Sequence, residues 1–185
     1  MTTSFKRAAM AGFTLIELLI VVIILAIISA IAIPQFSAAT SDAQQSAADA
    51  NLAAVRNAIE LYRAQHAGNA YPGVRTAMGG ADCTGEVVMA GGANSQAALI
   101  EQLSYATNRE GQACSIAGGE YRFGPYLRQG IPVNPFTDSA VVRITTTGAK
   151  LVATAGTAEQ GWAYDTVTGE FILNQPAAAD ADAGT

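Results

Sequence analysis

The chain has 185 residues, half of them hydrophobic, with a formal net charge of −5 and a pI near 4.7. That length admits one globular domain and one further element, and the acidic balance excludes the basic footprint of a nucleic-acid-binding protein. The apolar residues are unevenly placed: from Phe13 to Ile33 there are 21 residues, and only Thr14, Glu17 and Ser29 are not apolar.

In chain order, residues 1–12 form a short leader carrying Lys6 and Arg7. The apolar run behind it, as a helix, spans roughly 32 Å, about the thickness of a bilayer core. Lys6 and Arg7 precede the run while Asp42 and Asp49 follow it. The positive flank predicts a cytoplasmic N-terminus and export of the bulk of the chain. A cleaved secretory signal competes for this segment, because Ala30-Ile31-Ala32 supplies a small-residue cleavage site. Its apolar core, however, is longer than such signals use. A plain membrane anchor is the other ordinary reading, and neither explains Glu17.

A carboxylate inside a membrane helix costs a few kcal/mol unless it is neutralised or paired, which makes it a functional hypothesis. No Lys or Arg lies at helical spacing within the run. A cut between Gly12 and Phe13 creates the missing partner, a free α-amino group four residues before Glu17. Pairing between neighbouring copies then becomes possible in an apolar core.

Gly12-Phe13-Thr14-Leu15-Ile16-Glu17 followed by an apolar run resembles the prepilin peptidase signal of type IV pilins and type II secretion pseudopilins. The resemblance implies cleavage after Gly12, N-methylation of Phe13 and a role for Glu17 in subunit docking. It also implies a prepilin peptidase, an inner-membrane assembly platform and further copies of the chain as partners. No cofactor follows from it. The expected location is the inner membrane with a periplasmic domain, then a periplasmic or extracellular filament. Many relatives carry a proline where this chain has Pro34. That residue cannot donate to the Ala30 carbonyl, so the helix is expected to kink there rather than end.

Gln35 to Gln65 contains no further Pro or Gly. Leu52, Val55, Ile59 and Tyr62 follow 3-4-3 spacing on one face, extended by Phe36, Ala43 and Ala47. The predicted helix from Phe13 to His66 is roughly 80 Å long, with a stop at Gly68. A loop-rich stretch follows from Tyr71-Pro72-Gly73 to Asn94, broken by Gly79-Gly80 and Gly91-Gly92. Ser95 to Tyr105 predicts a short helix capped by Ser95. Gly124 to Phe136 is too proline-dense for a helix. Val141–Thr145 and Lys150–Thr154 are candidate strands around Thr147-Gly148. Trp162–Asp165 and Glu170–Leu173 flank a Thr-Val-Thr-Gly turn as a hairpin. Trp162, Tyr164 and Phe171 are assigned to its buried face rather than to an adhesive surface.

The expected fold class is therefore α+β: a long N-terminal helix, kinked near Pro34, packed on a small C-terminal antiparallel sheet. The expected division is a leader over 1–12, a membrane or filament-core helix over 13–34, an amphipathic half over 35–67, an exported domain over 68–175 and a disordered tail over 176–185. In an exported compartment Cys83 and Cys114 are expected to pair, which is worth roughly 3 to 4 kcal/mol. His66 is read as favouring the C-terminal helix dipole rather than as a base.

The order of elements also resembles the major pseudopilin of type II secretion, through Leu61-Tyr62, Tyr71-Pro72 and the proline-rich Ile131–Phe136. That family implies a calcium-binding acidic loop late in the chain. Here the region holds only Asp138, Glu159, Asp165 and Glu170, widely spaced, so no metal site is predicted. The cysteines also lie mid-chain, unlike the C-terminal disulfide loop of type IVa pilins. No metal-ligand, nucleophile–base or phosphate-loop pattern points to an enzyme. For a structural subunit the expected task is a type II secretion pseudopilus, with a surface pilus for adhesion, motility or DNA uptake as the alternative. From another class comes a membrane-anchored periplasmic binding or enzymatic domain.

Overall fold

The computed structural model describes residues 13–77, 79, 83, 91–153 and 160–174. The leader with Gly12, as well as Gly80, Thr154, Glu159 and the tail 176–185, lie outside the described residues. The first element, α1, runs Leu15–Gln65. Pro34 does not end it. Packing divides the chain into two units, Met1–Ala43 and Gln44–Thr185.

The first unit holds the beginning of α1. Its large apolar side chains from Phe13 to Phe36 are each 50% exposed or more, and the helix is long and apolar enough to cross a membrane. Surface of that kind in water is a liability, so it requires lipid or protein cover.

The second unit is α+β. The remainder of α1 lays Ala48, Val55, Ile59 and Tyr62 into the core, with Leu52 partly buried. The 3-4-3 stripe thus does what its spacing predicts. Its expected extension does not: Phe36, Ala43 and Ala47 are exposed, and Ala48 is the buried residue one turn before Leu52. A 3₁₀ turn over Ala67–Asn69 follows, in which Gly68 takes φ 73° and stops the helix. α2, Gln96–Ser104, begins at the predicted cap: the Ser95 hydroxyl accepts from the Ala98 N–H at 3.1 Å. Leu99 and Leu103 on α2 meet the α1 stripe, and each fully buried side chain of this size contributes about 1.5–3 kcal/mol.

Two short strands, β1 (Ala106–Thr107) and β2 (Ala113–Cys114), pair antiparallel. The main sheet holds β3 (Val142–Thr145), β4 (Trp162–Asp165) and β5 (Phe171–Leu173), in that order. The predicted hairpin is β4–β5, antiparallel with Trp162 opposite Leu173 and Tyr164 opposite Phe171. Its aromatic residues are buried, as assigned. β3 pairs with β4 in parallel, so the sheet is mixed. Lys150–Ala153 is not a strand. The reason is visible in the amides: Thr147 and Gly148 donate to the Asp165 carboxylate, and Leu151 donates to Glu170 Oε2. These donors are then lost to a returning strand.

Candidate functional site

The residues that carry chemistry in the first unit sit at the start of α1. Thr14 is the N-cap, and its carbonyl accepts the first helical hydrogen bond from Leu18 at 3.3 Å. The Glu17 N–H donates to Thr14 Oγ1 at 3.3 Å. In return, Glu17 Oε2 accepts from the Thr14 N–H at 2.9 Å and from its hydroxyl at 2.8 Å. This is a reciprocal capping box, satisfying two donors that a helix start otherwise leaves free. The negative charge also lies at the positive end of the helix dipole. Oε1 takes no hydrogen bond among the described residues. Reading Glu17 as a lone anomaly misses its local partner. The signal was present as Thr-x-x-Glu before an apolar run.

Phe13 stands 84% exposed just ahead of this cap. Gly12, the other half of the expected cleavage site, lies outside the described residues. Pro34 lies within α1, far along the chain from Glu17. Glu17 and Pro34 are therefore in one helix but not in one cluster, and Phe13 precedes that helix.

In the second unit His66 occupies the end of α1. Its Nδ1 lies 2.7 Å from the Tyr62 carbonyl and its Nε2 lies 2.9 Å from Thr107 Oγ1. The ring stacks on Tyr62 with centroids 3.7 Å apart, and Phe123 and Tyr126 close over it. Burial lowers its pKa, against hydrogen bonds to Tyr62 and Asn108 that act to raise it. The buried ring ties the helix end to β1 through its contacts with the Tyr62 carbonyl and Thr107 Oγ1. A cleft of about 490 Å³ opens beside it, lined by Arg109, Glu110, Glu120 and Arg122 among others. Those four charges cancel, and both ring nitrogens are already engaged.

Cys83 and Cys114 are joined, with Cα atoms 5.6 Å apart. The bridge anchors Cys83 against Ala106, Cys114 and Tyr121. No group of three His, Cys, Asp or Glu side chains able to hold a metal occurs among the described residues.

A helix that exposes its apolar face and starts with a capped glutamate defines a class by its N-terminus. Residues 7–33 match the prokaryotic N-terminal methylation motif. The chain is 49% identical over 57 residues to the type IV narrow pilus major component PilA5 of Thermus thermophilus, covering 31% of this chain and 49% of that protein. It is 34% identical over 58 residues to the type II secretion system core protein G of Pseudomonas aeruginosa, covering 31% of this chain and 41% of that protein. The chain thus spans less than half the length of either curated relative. No solved structure matches it.

Proposed function

We propose that this chain is a structural, non-catalytic subunit of a type IV pilus-like filament. Prepilin peptidase cuts it between Gly12 and Phe13, Phe13 is N-methylated, and the chain polymerises through its N-terminal helix. The single observation that carries this reading is the acidic cap at Glu17, opening an apolar helix whose side chains stand uncovered. One Glu17 oxygen is held by its own cap, and the other is available to the Phe13 amine of a neighbouring copy. Before assembly the apolar helix rests in the inner membrane with the second unit in the periplasm, in contact with an assembly platform. The domain division at residues 12, 34, 67 and 175 and a kink at Pro34 belong to the same reading.

A type II secretion pseudopilus is the task favoured by the order of elements after α1. A surface pilus is the second reading, favoured by the higher identity to a narrow-pilus component. Mass spectrometry of the mature N-terminus tests processing, with a methylated Phe13 expected. An intact Met1 would instead fit a membrane-anchored periplasmic domain, and a cut near Ala32 a cleaved secretory signal; either result refutes the filament reading. Glu17→Ala is expected to leave cleavage intact and to reduce sheared filaments, counted by electron microscopy, by about tenfold or more, since a buried pair lost is worth a few kcal/mol. Wild-type filament yield from that variant would refute the docking role.

A further inference from the structure

Asp165 is fully buried at the end of β4. Its Oδ2 accepts from the Thr145 hydroxyl at 3.0 Å, the Thr147 N–H at 3.0 Å and the Gly148 N–H at 3.1 Å. Its Oδ1 accepts from the Val167 and Thr168 N–H groups, each at 2.9 Å. One carboxylate thereby joins the loop after β3 to the turn between β4 and β5. No cationic side chain lies within ion-pair distance of it among the described residues; its charge is met by N–H and O–H dipoles alone.

A carboxylate offers about four lone-pair positions, and five short donors fill them. A calcium ion needs oxygen lone pairs at roughly 2.3–2.6 Å. Here it would meet the positive ends of N–H bonds instead. Glu170, the nearest acid in sequence, is also engaged, accepting from Leu151 N–H at 2.8 Å. A calcium ion of the kind that the pseudopilin resemblance implies therefore does not fit at Asp165.

We infer that Asp165 is an internal anionic clamp, doing for the two turns what a bound cation would do, and that the domain is stable without calcium. The inference is independent of which filament the chain builds. It also accounts for the parallel β3–β4 pair: the clamp holds the chain after Thr145 at the sheet end, where Thr147 and Gly148 cannot fold back as a hairpin.

The test uses the full chain in detergent micelles, melted at neutral pH with calcium in excess or with a calcium chelator. The two melting temperatures are expected to coincide. Asp165→Asn, which turns an amide donor toward backbone donors, is expected to lower Tm by about 5 °C or more, and added calcium is not expected to restore it. Thr145→Val, which removes one donor and keeps the shape, is expected to produce a smaller drop. A rise in wild-type Tm with calcium overturns the inference. So does an Asp165→Asn chain that melts like the wild type. Should Asp165→Asn not fold, an unshifted Tm for Thr145→Val overturns the clamp by itself.

Discussion

At the scale of single residues, two titratable groups do work that their types alone do not reveal. Glu17 closes the capping box with Thr14, so its charge is useful to the helix within a single copy of the chain. His66 is the only histidine, and its environment sets a sign. Burial holds the folded pKa below its ordinary value, with Arg75 adding to the effect and Glu110 opposing it. The folded chain therefore binds fewer protons than the unfolded one as pH falls below about 6.5. Stability is complete above that value and declines as pH drops from there toward the lowered folded pKa. Urea midpoints measured between pH 7.5 and 5 are expected to fall in the wild type and to stay flatter in His66→Gln over about the same range. An equal slope in both would show that the protons are taken up elsewhere.

Elements of this chain divide by how local their determinants are. α2 begins where Ser95 caps it, and the β4–β5 hairpin turns at Thr166–Gly169, with Gly169 at φ 73°. Each rests on residues a few positions apart, and each was legible. The β1–β2 hairpin was not, because its strands are two residues long and show no alternation. Its signal lay in the turn. Asn108 Oδ1 accepts from the Glu110 and Gln112 N–H groups, and Gly111 takes φ 89°. Gly111 is also where the turn approaches α1, since a Cβ there would meet the Tyr62 hydroxyl. Gly111→Ala is therefore expected to cost about 1–3 kcal/mol through strain and displaced packing. Chemical denaturation measures it, and a cost near zero would mean the turn shifts freely.

Across the whole molecule, the second unit combines an aromatic-rich core with one covalent tie. Trp162 and Phe171 stack with centroids 5.3 Å apart, and Tyr164 donates its hydroxyl proton to the Pro72 carbonyl at 2.9 Å. Polar side chains finish the interior. Gln102 accepts from the Gly73 N–H and donates to the Arg75 and Gly111 carbonyls, while Asn134 donates to those of Gly161 and Asn174. The Cys83–Cys114 bridge spans a sequence separation of 31. Replacing both cysteines by serine is expected to lower stability by about 2–4 kcal/mol, read from urea unfolding in non-reducing buffer. Equal midpoints for the two chains would show that packing holds Cys83 in place without the bond.

By itself, the sequence determined the features that depend on composition, period and short spacing. These are the apolar helix and its acidic start, the stripe from Leu52 to Tyr62, the Ser95 cap, the aromatic hairpin and the pair of cysteines. Each is set by residues within a few turns or by a strong prior of compartment. The parallel β3–β4 pair, the burial of His66 and the saturation of Asp165 were decided by the tertiary structure alone. Those depend on which distant donors reach a buried group: Thr107 meets His66 across 41 residues, and Thr145 meets Asp165 across 20. No local pattern encodes such a meeting, because it is fixed by the packing of the whole unit and by the cost of leaving a buried polar atom unpaired.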